Sequence, residues 1–105
     1  MKTFKIIYKI GKKTKVRKVQ ILNEFEFYGL KWVIHKTLTG QYTVSEYSTG
    51  LSVGYNRLEA LNNGDPVEST FDARELAVKL LKKVEENKIF LILKEYPVIN
   101  VERKK

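Results

Sequence analysis

The chain has 105 residues, 43% of them apolar and 30% charged, with no cysteine and a formal net charge of +8. That length fits one domain with a single core, and the composition excludes disordered or collagen-like structure, disulfides and thiolate chemistry. No apolar run approaches the roughly 18 residues of a membrane span, and the alternating Lys and Ile behind Met1 are unlike an export signal, so a cytoplasmic protein without a membrane partner is expected.

Phe4, Ile6, Tyr8 and Ile10 alternate with Lys5, Ile7 and Lys9, which predicts a half-buried strand over Thr3–Ile10. Gly11-Lys12-Lys13 turns the chain, and residues 14–22 return as a second strand. Its phase is uneven: Val16 has one parity, Val19 and Ile21 the other. A bulge near Arg17-Lys18 would reconcile them. Residues 24–28 alternate again until Gly29. Residues 31–38 and 41–48 predict two further strands around Thr39-Gly40, and Ser48-Thr49-Gly50 turns into a short strand over 51–55. Two registers suit the middle hairpin. A three-residue loop sets Ile34 opposite Val44 and Trp32 opposite Glu46, whereas a two-residue turn sets Trp32 opposite Tyr47.

Residues 56–69 break the strand pattern. Arg57 to Leu61 fits a single helical turn, and Asn62-Asn63-Gly64-Asp65-Pro66 reads as loop. Ser69 or Thr70 then opens an amphipathic helix over 71–86, with Asp72 in its first turn and a core stripe of Ala73, Leu76, Ala77, Leu80, Leu81 and Val84. Ile89 to Leu93 suits a buried strand or a second short helix within 89–95, and the run into Pro97 favours the helix. The expected fold is an α+β domain over residues 1–105. An antiparallel meander of about five strands is covered on one face by the C-terminal helix.

The charge is lopsided. Residues 1–18 hold Lys2, Lys5, Lys9, Lys12, Lys13, Lys15, Arg17 and Lys18 and no acid, while the rest of the chain sums to zero. Such a concentration attracts an anionic partner, although lysines on an edge strand also discourage aggregation. A second basic cluster, Arg103-Lys104-Lys105, reads as a solvated terminus.

Catalytic chemistry finds few candidates. His35 is the only histidine and has no acidic cluster near it in sequence, so no metal site or cofactor is expected. It reads as a half-exposed, hydrogen-bonded strand residue. A triad of Ser45, His35 and Asp65 can be drawn on paper, but no nucleophile elbow supports it, and no phosphate-binding glycine loop or dinucleotide fingerprint occurs. The expectation is a non-enzyme with no catalytic residues. Binding remains. Lys5, Lys9, Lys12, Lys13, Lys15, Arg17, Lys18 and Lys31 would meet phosphates, and Tyr47 or Trp32 on an open sheet face would stack on bases. Aromatic residues at strand spacing more commonly pack the core, and Trp32 is read that way.

Trp32-Val33-Ile34-His35, Tyr42-Thr43-Val44-Ser45, Ser48-Thr49-Gly50-Leu51 and the helix from Phe71-Asp72-Ala73-Arg74 together resemble a pattern of small phage and prophage proteins, over about residues 31–84. The resemblance implies a phage-type origin and carries over no site residues. The leading expectation is a small, non-enzymatic, phage-type accessory protein that binds DNA or RNA through its basic first hairpin. The alternative is a protein-interaction module that modulates a host or phage protein, through an apolar patch or by homodimerisation at a free sheet edge.

Overall fold

The computed structural model describes residues 2–101 and, within them, every side chain but those of Lys9 and Tyr55. The basic tail at Arg103-Lys104-Lys105 lies outside the described residues. The elements run β1 (Thr3–Ile10), β2 (Lys13–Gln20), β3 (Asn23–Phe27), β4 (Leu30–Lys36), β5 (Tyr42–Glu46), α1 (Tyr55–Leu61), α2 (Thr70–Lys82) and α3 (Glu86–Lys94). The fold is α+β, and its five strands form two antiparallel sheets, β1–β2 and β3–β4–β5, where a single meander was expected.

The reason for two sheets lies in β4. Its Trp32-Val33-Ile34-His35 stretch is buried without a break, so both faces of the three-stranded sheet need cover. Trp32 and Ile34 join Phe25 and Val44 on one face, against Leu58 of α1 and Ala73, Leu76, Ala77 and Leu81 of α2. On the other face Val33 packs against Phe4 of β1 and Val19 of β2, with Ile6, Ile21 and Tyr47 around them. The basic hairpin is therefore a third layer, laid on the sheet side opposite the helices. The middle hairpin takes the register that pairs Ile34 with Val44 and Trp32 with Glu46.

Several local expectations change. The β1–β2 register runs unbroken from Thr3 opposite Gln20 to Ile10 opposite Lys13, so the bulge near Arg17-Lys18 is absent. Val16 simply faces outward beside Ile7 and is 52% exposed. Residues 51–55 supply only an isolated bridge between Ser45 and Ser52 before α1 begins. The long helix starts as expected, with the Ser69 hydroxyl accepting the Asp72 N–H at 3.0 Å, but it ends at Lys82 instead of residue 86. The backbone becomes extended at Glu85, and residues 89–93 belong to a separate helix whose one buried side chain is Ile89. The break turns the apolar run back toward the body, where Ile89 joins the helix-side core.

The outer edge of β1 is closed by two remote segments. The Ile7 N–H donates to the Gly50 carbonyl at 3.1 Å. Asn100 acts as a side-chain strand: its Oδ1 accepts the Lys5 N–H, and its Nδ2 donates to the carbonyls of Lys5 and Tyr47, each at 2.7 Å. Net hydrogen-bond contributions near 1 kcal/mol each predict that Asn100→Ala destabilises the protein by about 2–3 kcal/mol, because the backbone groups of Lys5 lose partners that water replaces only in part. Urea unfolding midpoints test this. An unchanged midpoint would show that the clasp contributes nothing.

Candidate nucleic-acid interface

The hairpin turns through Gly11 and Lys12. Gly11 has φ +62° at the first of the two central positions, where a two-residue hairpin favours glycine. Every residue from Ile10 to Val16 is exposed, Ile10 by 56%, and where the ribbon comes nearest the body Thr14, Ile7 and Tyr8 line a cleft with Leu51, Ser52 and Tyr96. Only its base, at Phe4 and Val19, is buried.

Pairing fixes where the cations lie. Lys13, Lys15 and Arg17 sit opposite Ile10, Tyr8 and Ile6, and so share the face that carries Phe4 toward the core. Lys5 and Lys18 sit directly opposite each other on the reverse face. The Lys9 side chain lies outside the described residues, and Lys12 occupies the turn. The expected basic surface is thus a ribbon charged on both faces rather than a flat patch. Like charges directly opposite across a strand pair are destabilising, and Lys5 and Lys18 have that arrangement. Among the described residues the one ion pair joins Lys31 Nζ to Glu24 at 3.3 Å, so Lys5, Lys12, Lys13, Lys15, Arg17 and Lys18 meet no carboxylate there.

Lys31 and Tyr47 are brought together, but in a different role from the one expected. The Lys31 ammonium lies 4.6 Å from the centre of the Tyr47 ring, and that ring also stacks on Phe4 at 5.9 Å. Tyr47 therefore helps to seat the hairpin, and Lys31 is committed to Glu24. Trp32 is core, with its indole N–H donating to the Phe27 carbonyl at 3.0 Å. Neither ring is offered to a base on an open sheet face: the helices cover Trp32, and Tyr47 packs against Phe4 on the hairpin side. A residue that sequence reasoning missed is Lys36. It lines a cleft of about 240 Å³ with Arg17, Lys18, Gln20 and Thr37, between β2 and the end of β4. Its signal was its place at the end of a strand, but only the layering of the two sheets brings it beside Arg17 and Lys18.

His35 and Ser45 do meet, at 2.8 Å between Nε2 and Oγ. The other ring nitrogen lies 3.2 Å from the Lys36 carbonyl, which requires Nδ1 to carry the proton and Nε2 to accept from the serine hydroxyl. A backbone carbonyl thus fills the position an aspartate holds in a triad. His35 is 2% exposed and Ser45 fully enclosed, so the pair sits between the sheets without access to a substrate. The half-exposed histidine expected from the sequence is a buried one. No group of three metal-ligating side chains occurs among the described residues.

Burial holds the His35 pKa below its ordinary 6.5, with the Arg17 charge acting in the same direction and the hydrogen bond to Lys36 opposing. The unfolded chain consequently takes up a proton before the folded one does. Stability should be flat above about pH 6.5 and fall as pH drops below it, levelling once the buried ring itself protonates. Urea unfolding across that interval checks the slope, and His35→Gln should reduce it. An equal slope in both proteins would assign the effect to other groups.

Glu46 is also buried, facing the helix side opposite Trp32. Its carboxylate accepts from the N–H and hydroxyl of Ser48, both at 2.6 Å, and from the N–H and hydroxyl of Thr49 at 3.1 and 3.0 Å. These bonds replace the lost water around the buried charge and fix the turn that presents Gly50 to β1. Comparison with protein-family models, with curated protein sequences and with solved structures finds no match to this chain.

Proposed function

We propose that the protein binds nucleic acid through the β1–β2 ribbon, as a small, non-enzymatic, phage-type accessory protein. The observation that carries this reading is the set Lys5, Lys12, Lys13, Lys15, Arg17 and Lys18, which share one hairpin with no carboxylate partner among the described residues. A two-stranded ribbon fits the major groove of B-DNA, which is about 12 Å wide and walled by phosphates on both sides. Cations on both ribbon faces suit that setting better than a flat surface contact. Recognition would be of the backbone and independent of sequence, since the aromatic side chain beside the ribbon cations, Tyr8 opposite Lys15, is half-buried. The phage-type origin rests on the resemblance of residues 31–84 alone.

Fluorescence anisotropy of a labelled duplex, titrated at about 50 mM and about 200 mM salt, tests the proposal. Binding that weakens steeply with salt and ignores sequence is expected. No binding at the lower salt would remove it.

One observation favours the interaction-module alternative: Leu91 of α3 is 62% exposed and Val101 74%, with Ile92 and Val98 also open to solvent. Light scattering would reveal a homodimer built on that surface, and a monomer at all concentrations would exclude self-association.

A further inference from the structure

A cleft of about 400 Å³ opens where α3 meets α2 and the segment before α1. That volume lies within the range of about 300–1,000 Å³ typical of small-molecule sites. Trp32 lies at its base, Leu80 and Val84 of α2 form one wall, and Ile89, Ile92 and Leu93 of α3 form another. The only charged residue on the lining is Arg57, in α1. Four carboxylates lie near it in sequence, at Glu46, Glu59, Asp65 and Glu68, yet Arg57 forms no ion pair with any of them among the described residues.

We propose that this cleft binds a single-chain amphipathic carboxylate, of the fatty-acid class, with its hydrocarbon tail against the α2–α3 walls and its headgroup on Arg57. Two features select that chemistry. The walls offer dispersion contacts and few polar partners, so the inserted part of the ligand must be apolar. The one available ionic group is a guanidinium, whose planar fork matches a carboxylate and repels a cation. The site is remote in chemistry and in position from the basic ribbon, since the three-stranded sheet separates α2 from the hairpin layer. It stands or falls independently of nucleic-acid binding. An occupant would also brace α3, which otherwise buries only Ile89.

The chain has one tryptophan, and it lines the cleft. Its fluorescence therefore reports on the site without a label. Titration with a bromine-bearing laurate, kept below its micelle concentration, should quench Trp32 saturably and raise the thermal unfolding midpoint. Dodecanol and dodecyltrimethylammonium, competing against that laurate, should each bind at least about tenfold more weakly, as expected for loss of a charge-assisted hydrogen bond. Arg57→Glu and Ile92→Glu each replace a solvent-accessible side chain and should leave the fold intact by circular dichroism while weakening laurate binding to a similar degree. Absent or unsaturable quenching overturns the proposal. So does equal affinity for the three headgroups, or quenching that Arg57→Glu leaves unchanged.

Discussion

Gly50→Ala is expected to destabilise the protein by at least about 3 kcal/mol and to release the basic hairpin from the sheet. Two effects add. Gly50 has φ +71°, a conformation that costs an L-residue about 1–2 kcal/mol. A Cβ there would also stand 2.5 Å from the Lys5 carbonyl oxygen and 2.7 Å from the Ile6 Cα. Both are backbone atoms that no rotamer change can move aside, so the turn or β1 must shift. The shift would break the Ile7 to Gly50 hydrogen bond and open the small core of Phe4, Val19 and Val33. A loss of that size is a large fraction of the about 5–15 kcal/mol typical of a domain. Gly11→Ala is the control, because Gly11 has a similar φ of +62° with nothing near its missing Cβ. It should cost only the conformational part, about 1–2 kcal/mol. Urea unfolding of the two variants separates the effects, and equal losses would show that close packing at Gly50 is unimportant. Amide hydrogen exchange should locate the damage, with faster exchange at Ile7.

Reversing charge at Lys12, Lys13, Lys15 and Arg17 together, each to glutamate, should lower affinity for duplex DNA by at least about 100-fold near 50 mM salt. The salt dependence should flatten as well. Every phosphate that the protein ceases to neutralise reduces the slope of log affinity against log salt by about 0.9, so four of them lower it by about 3–4. The three lysines are exposed and contribute little to the core. Arg17 is half-buried and its charge helps to keep His35 neutral, so its reversal also tests that link. Circular dichroism and the unfolding midpoint show that the fold persists. A variant that binds duplex as tightly as the unchanged protein would rule out the ribbon as the binding surface.

How far the sequence could be read depended on the range of the interactions. Local chemistry was legible. Ser69 caps α2 where a serine before an acidic first turn suggested, and Ala73, Leu76, Ala77 and Leu81 bury the stripe their spacing described. The pairing of Ile34 with Val44 was one of two registers that the period-two pattern allowed. The layering was hidden. Nothing in the alternation of β1 shows whether Phe4 packs under a helix or on a second sheet, and that choice decides the surroundings of His35, Ser45 and Tyr47. Val16 misled because an outward valine and an inward one look alike in one strand. The break after Lys82 carries no proline or glycine to announce it. At the candidate interface, the concentration of cations was plain from composition. Their division between two faces required the register of the hairpin, and the capture of Lys31 by Glu24 required knowing that β3 and β4 are neighbours.

The hydrogen bond between Lys5 and Asn100 spans 95 positions of the chain, so it sets an order of events during synthesis. The ribbon can pair with itself as soon as its own residues leave the ribosome, because its turn is local. Gly50 can close its outer margin at Ile7 early, but the margin at Lys5 stays open to foreign strands until residue 100 has been made. Throughout that interval lysine side chains along β1 are a safeguard against mispairing, so the residues proposed to meet an anion in the finished molecule would also protect the nascent one.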